Sequence, residues 1–251
     1  MSKRYIGKTC TYCTAPHASV VGDHVLAREF CLKHKRANLP QVPACDVCNG
    51  EKSRLEHELT AVMPFGGRHP DSRANLSTMV APRLAKNRKL AATLAAGMRQ
   101  SFESNDGIAW QPAGTVPIDT AQLVRLYELM AQGLAYWNWG VLLPQESCII
   151  YGTFLTAAGE NIYERLFGTN RVRRVRDNLS DGVLEYEGIQ DPGHSEFTAW
   201  RMSLYGTLLS GDAEAPAEIP SRCHIITAPR SLATAVRLIE SMRNGPGRVP
   251  A

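Results

Sequence analysis

Two Cys-x2-Cys pairs, 31 residues apart, constrain the fold of this chain more than any other feature. The pairs are Cys10 with Cys13 and Cys45 with Cys48. Two thiolates three positions apart on a tight turn can occupy neighbouring corners of a tetrahedron, which is the geometry of structural zinc. The chain has seven cysteines, an odd number, and no apolar run after its first basic residues, which argues against secretion and disulfides. The spacing predicts one zinc ion on four cysteines, with Cys31 as a small buried residue.

Residues suited to phosphate chemistry lie between and just after these pairs. Asp23 and His24 are adjacent, Asn38 precedes the second pair, Asn49 follows Cys48 directly, and Lys52 comes three residues later. Neighbouring residues of a strand point to opposite faces, so Asp23 and His24 need a bulge or a strand end to reach one phosphate together. A lone histidine is usually structural, but this one directly follows a carboxylate and lies between the two cysteine pairs. We therefore treat it as a candidate functional residue.

These motifs, in this order, resemble the HNH endonuclease superfamily with its ββα-metal fold. The resemblance covers about residues 8–60 and rests on Cys-x2-Cys, Asp-His-Val, Asn-Leu and Cys-x2-Cys-Asn-x2-Lys-Ser. It implies that Asp23 and Asn49 hold a catalytic Mg²⁺ or Mn²⁺ through oxygen atoms and that His24 is the general base. It implies a structural role for Asn38, which would orient the histidine. Zinc bound by four thiolates has no open position, so it would stabilise the fold and do no chemistry.

Basic residues are concentrated in the same part of the chain. Residues 1–54 contain nine Lys or Arg and four Asp or Glu, whereas the whole chain has a net charge of +4. Such a surplus favours a polyanionic partner, here nucleic acid and more specifically DNA. Lys33, Lys35 and Arg36 either contact phosphate or form a solvated loop, and Lys52 either contacts phosphate or is an exposed lysine at a helix start. His57 is either an additional metal ligand or an ordinary helix histidine.

Hydrophobic periodicity predicts helices and strands in the remainder, and thus an α+β chain. Residues 64–82 form a linker or a packed loop, and the helices cover about 82–104, 119–141, 155–167 and 231–242. Strands are predicted at about 171–176, 183–187, 197–205 and 224–227. In the first strand Arg171, Arg173, Arg174 and Arg176 alternate with valines, which is typical either of a charged edge strand or of a nucleic-acid groove.

We therefore expect an HNH nuclease module at residues 1–62, a linker or packed loop at 63–81, and an α+β domain at 82–251. The last would position substrate, receive a signal, form a homo-oligomer or bind a partner protein. The expected activity is hydrolysis of DNA phosphodiesters, and the resemblance implies a setting in restriction or antiphage defence. Two alternatives are a non-catalytic zinc-ribbon module that binds nucleic acid and an HNH nuclease that cuts RNA. No apolar run reaches the roughly 20 residues that span a membrane, so we expect a cytoplasmic protein.

Overall fold

A computed structural model describes residues 3–103, 111–155, 157–168, 172–206, 209–210, 218–219 and 222–244. Helices and strands are mixed along the chain, which confirms the mixed fold class predicted from the sequence. Within the described residues, no helix combines the length and apolar character needed to cross a bilayer.

After a 3-10 turn at Lys3–Tyr5, the first two strands form an antiparallel ribbon that leads directly into a helix. Strand β1 is Val21–His24 and strand β2 is Gln41–Ala44, and the register places His24 opposite Gln41. Helix α1 is Asp46–Val62, and Cys45 is its N-cap residue. The Cys45 Sγ accepts a hydrogen bond from the backbone N–H of Cys48 at 3.5 Å. The second cysteine pair therefore forms the junction between the ribbon and α1.

Several short helical segments occupy residues 63–97. They are a 3-10 turn at Met63–Gly66, helix α2 at Pro70–Asn75, a π-helical turn at Leu76–Val80, helix α3 at Ala81–Lys86 and helix α4 at Arg88–Gly97.

The prediction of one continuous helix over 82–104 is therefore wrong. Asn87 has a non-helical backbone, and its side chain caps α4 by accepting a hydrogen bond from the N–H of Leu90 at 3.1 Å. At the other end, Gly97 lies so close to Pro117 that an added Cβ would be 2.4 Å from that ring. Arg99–Glu103 is strand β3, paired with strand β4 at Gln111–Thr115, and residue 104 lies outside the described residues.

The longest helix, α5, covers Thr120–Trp139 and confirms the helix predicted over 119–141. Asp119 caps its start, since the carboxylate accepts hydrogen bonds from the N–H groups of Ala121 and Gln122 at 2.9 and 3.1 Å. Gly140 ends it in the left-handed region, with φ of 69°.

The rest of the described chain builds a five-stranded antiparallel sheet with two helices. The elements are β5 Cys148–Phe154, α6 Ala157–Phe167, β6 Arg173–Leu179, β7 Leu184–Gln190, β8 Thr198–Leu204, β9 Leu209–Ser210, β10 Glu218–Ile219, β11 Arg222–Pro229 and α7 Ala233–Asn244. The sheet order is β5-β11-β8-β7-β6, while β9 and β10 pair separately. The four predicted strands are present as β6, β7, β8 and β11. Strands β5, β9 and β10 were not predicted, and β6 is an edge strand, as one alternative expected. Arg171 lies outside the described residues.

One hydrophobic core joins the ribbon, α5 and one face of the sheet. Phe30, Leu126 and Trp200 all belong to this core. The Gln132 amide of α5 donates a hydrogen bond to the backbone oxygen of Tyr12 at 3.0 Å. A second, smaller core lies on the other sheet face and includes side chains from α6 and α7. The cysteine-rich segment is thus packed on the same core as residues more than a hundred positions away.

Candidate functional site

The four paired cysteines converge at one point, as the spacing predicted. The sulfur atoms of Cys10, Cys13, Cys45 and Cys48 all lie within 4.8 Å of one another, and none is in a disulfide. The Cys13 and Cys45 sulfurs are 3.8 Å apart. Zinc–sulfur bonds of about 2.3 Å in a tetrahedron place sulfurs about 3.8 Å apart, so these residues fit a structural zinc ion. Among the described residues this is the one group of three or more His, Cys, Asp and Glu ligands so close together.

Local backbone geometry explains why these sulfurs meet. The backbone N–H of Thr14 donates to the oxygen of Cys10 at 2.9 Å, which closes the first pair into a tight turn. The N–H of Cys45 donates to the Cys10 sulfur at 3.3 Å and ties the two pairs together. Burial, and then the neighbouring Cys45 sulfur, raise the pKa of the Cys48 thiol. Four thiolates in this space therefore need the charge of a cation.

Cys31 lies in the core and outside this cluster, as the sequence predicted. Burial raises the pKa of its thiol to about 11.

Asp23 points away from solvent and is held by two side chains. The Tyr12 hydroxyl donates to its Oδ2 at 2.5 Å, and the Lys52 Nζ lies 3.1 Å from the same oxygen. Burial, and then the Asp23 charge, raise the pKa of Tyr12, so the phenol keeps its proton and donates. Asp23 is thus committed to partners inside the protein.

Lys52 is fully buried at the centre of this network. Its Nζ donates to the backbone oxygen of His24 at 2.6 Å and forms an ion pair with Glu56, one turn later in α1. Burial lowers the pKa of Lys52, but the carboxylates of Asp23 and Glu56 raise it further, so the ammonium stays charged. Because this ammonium is enclosed, the phosphate contact expected at Lys52 has no support, and the exposed helix-start alternative does not describe it either.

His24 remains partly exposed at the end of β1. Its Nε2 lies 2.7 Å from the side-chain nitrogen of Gln41, the residue opposite it in the ribbon. Burial, and then the positive charge of Arg28, lower the pKa of the imidazole, so it is neutral at neutral pH. A neutral imidazole can accept a proton.

The two candidate asparagines lie on either side of the second strand. Asn49 is in the first turn of α1, where its N–H donates to the oxygen of Cys45 at 3.0 Å. Asn38 is exposed and adopts the left-handed region with φ of 60°, which asparagine tolerates well. Within the described part of the chain, no side-chain hydrogen bond joins Asn38 to His24, so the orienting role expected for Asn38 has no direct contact behind it.

The predicted basic run is largely tied into the fold. Lys35 pairs with Asp71 at 2.8 Å and with Asp181 at 3.3 Å, and the first of these carboxylates raises the pKa of Lys35. Arg36 donates to the backbone oxygen of Cys31 at 3.1 Å. Lys33 is exposed and is the member of the run best placed to meet a phosphate.

A cleft of about 200 Å³ opens beside α1 and was not predicted from the sequence. Its lining comes from three separate segments and comprises Glu29, Ser53, Glu56, His57, Thr60 and Arg83. Glu56 links it to Lys52, and Lys52 to the backbone of His24. His57 contacts Asn87 at 3.3 Å through its Nε2. Of these lining residues, only the four on α1 are three or four positions apart, so only these could have been placed together from helical periodicity.

Comparison with known proteins found no matching family model, no matching curated protein and no matching solved structure.

Proposed function

We propose that this protein is an HNH-type endonuclease that hydrolyses DNA phosphodiester bonds, with His24 as the general base. The observation that supports this most is the position of His24. It is a partly exposed, neutral histidine at the end of a ribbon that leads straight into α1, and the four-cysteine cluster fastens the ribbon to that helix. The strand-strand-helix order agrees with the ββα arrangement that the sequence resemblance implies.

The contact with Gln41 positions the imidazole for this role. The oxygen and nitrogen of a side-chain amide exchange places by a half-turn. In the structure the Gln41 amide nitrogen faces Nε2; a half-turn of that amide would let its oxygen accept the Nε2–H of His24, and Nδ1 would then keep the lone pair that takes a proton from water. Lys52 holds the backbone oxygen of His24, so the strand end is fixed on both sides.

A divalent cation in such a nuclease neutralises charge on the scissile phosphate. The resemblance names Asp23 and Asn49 as its ligands. In the described structure the Asp23 Oδ2 is already engaged by Lys52 and Tyr12, so a cation at this oxygen would have to displace them. A requirement for Mg²⁺ or Mn²⁺ therefore stays a prediction to be measured.

The decisive experiment incubates the zinc-loaded protein with plasmid DNA, with and without Mg²⁺ or Mn²⁺. His24→Ala should slow cleavage by about 10²–10⁴-fold, which is the usual worth of a general base, and leave DNA binding intact. His34→Ala, an exposed histidine of the same segment, is the matched control and should cut normally. Equal cleavage by His24→Ala and the unchanged protein would remove His24 from the mechanism.

The Asp23 carboxylate accepts a hydrogen bond from Tyr12 and pairs with Lys52, so its Oδ2 is not free to bind a catalytic cation. This favours a second candidate, a zinc-ribbon module that binds nucleic acid without cutting it. Under that alternative the unchanged protein binds DNA but cleaves neither DNA nor RNA with any of the cations. Cleavage of RNA alone would instead support the RNA-cutting alternative.

A further inference from the structure

The segment from Arg68 to Arg99 is strongly basic. It contains seven Lys or Arg and one acidic residue, Asp71. Asp71 is buried and paired with Lys35, a cation outside the segment, so it balances none of this charge. A segment of this kind attracts a polyanion.

Three of these cations are exposed at the joint between α3 and α4. We call Lys86, Arg88 and Lys89 the joint cations. Across the described ranges, no acidic group forms an ion pair with any of the three. Arg88 and Lys89 also lie in the first turn of α4, where the helix dipole disfavours positive charge and where no acidic residue is present. These cations therefore do not stabilise α4, which points to a partner outside the chain.

Side-chain contacts attach this joint to the candidate site. Asn87, which lies among the joint cations, contacts His57 at 3.3 Å, and the guanidinium of Arg83 donates to the hydroxyl of Thr60. His57 and Thr60 line the cleft beside α1 together with Glu56. Glu56 pairs with Lys52, which holds the backbone oxygen of His24. An unbroken series of contacts therefore leads from the joint to the proposed general base.

We propose that the joint cations bind backbone phosphates of a DNA duplex that lies along the cleft side of α1. This inference rests on the proposed function, because it assigns the substrate surface of that same site. Lysine and arginine at a helix start can meet phosphate together with the N–H groups of that helix. Of the contacts predicted from sequence, Lys35, Arg36 and Lys52 are bonded within the protein, and the joint cations take over this role.

The experiment measures binding of a fluorescein-labelled DNA duplex by anisotropy over a KCl series. It uses the zinc-loaded full chain with His24→Ala and no added divalent cation, so that nothing is cut. Replacing Lys86, Arg88 and Lys89 together by Gln should reduce the slope of log K against log[KCl] by about 2.7, since each lost phosphate contact is worth about 0.9. Replacing Arg173, Arg174 and Arg176 by Gln removes the same charge from exposed positions on β6 and should change the slope by less than about one unit.

Three results would overturn the proposal: an unchanged slope in the joint variant, an equal reduction in the β6 variant, or a reduction seen with single-stranded RNA but not with duplex DNA. Lys86→Arg, Arg88→Lys and Lys89→Arg together keep the charge and should keep the slope, and loss of the slope there would also count against it. Circular dichroism checks that each variant folds. The failure of the nuclease proposal looks different, because then the unchanged protein fails to cut whatever the salt dependence of binding.

Discussion

At the scale of single residues, one buried ammonium lies between two carboxylates. Lys52 pairs with both Asp23 and Glu56, so with all three groups ionised a net negative charge is buried. Burial, opposed by Lys52 and reinforced by Asp23, raises the pKa of Glu56 to about 7. Protonating Glu56 is the least costly way to balance the cluster, because Asp23 also has the Tyr12 hydroxyl as a donor.

This pairing predicts a pH dependence of stability that belongs to Glu56. Since its pKa in the folded protein is about 7 and its ordinary value is 4.5, the unfolded chain releases this proton first. The contribution is fully present below pH 4.5 and is lost as pH rises to about 7, at up to about 1.4 kcal/mol per pH unit. Glu56→Gln should remove this loss. The melting temperature of the unchanged protein minus that of Glu56→Gln should therefore fall from pH 5 toward pH 7 and then stay constant.

Glu58→Gln gives the matched control, since Glu58 is on the same helix and has no ion pair within the described residues. The same pH trend in both variants would contradict the assignment to Glu56.

The cysteine cluster was predictable from the sequence, whereas the Asp23–Lys52–Glu56 network was not. Two Cys-x2-Cys pairs are a spacing typical of zinc sites, so the cluster could be predicted from the sequence. No comparable pattern in the sequence shows which side of α1 faces β1. Lys52 was therefore expected near phosphate or in solvent, whereas α1 packs with this residue inward and the backbone of His24 supplies an acceptor.

At the scale of elements, we expect the ribbon and α1 to take much of their folding energy from a zinc ion bound by the four cysteines. Cys45→Ser should abolish the binding of about one zinc ion per chain and expose β1 and β2 to hydrogen exchange. Serine is itself a good N-cap, so this change tests the sulfur while α1 keeps its cap. Metal analysis and amide exchange give the two readouts. Cys31→Ala removes a buried sulfur outside the cluster and should retain the zinc. Full zinc content in Cys45→Ser would show that the cluster is not the metal site.

The ends of a helix were predictable where a capping residue marks them. Asp119 and Gly140 bracket α5, and both carry the conformations that their chemistry favours. Asn87 is likewise a capping residue, at the start of α4. Apolar residues continue at helical spacing on both sides of it, however, so the break between α3 and α4 was not predicted. The missed strand β5 begins Cys148-Ile149-Ile150-Tyr151, a run typical of a strand, so the sequence did carry a sign of it.

At the scale of the whole molecule, the core crosses the boundary expected at residue 62. Val25, next to the candidate base, packs against α5 at Gly133, where an added Cβ would lie 2.8 Å from a Val25 methyl carbon. Both residues are buried, and valine has no flexible end that could move away. Glycine at this position of α5 is needed for the close approach of the two parts. The pairing joins residues more than a hundred positions apart, which no local pattern in the sequence could have indicated.

Gly133→Ala should therefore weaken the cysteine-rich segment from a distance. Overpacking of a core costs about 1–3 kcal/mol, which exceeds the roughly 0.5–1 kcal/mol that alanine contributes to a helix. Gly50→Ala in α1 is the matched control, because nothing lies within 4 Å of its added Cβ, and it should be slightly stabilising. Melting temperature and the rate of zinc release to a chelator measure both variants. If the ribbon and α5 unfold as one body, Gly133→Ala lowers the melting temperature and speeds zinc release together. A lower melting temperature with unchanged zinc release would mean that the cysteine-rich segment is stable without α5, since its metal would then be held independently of that contact.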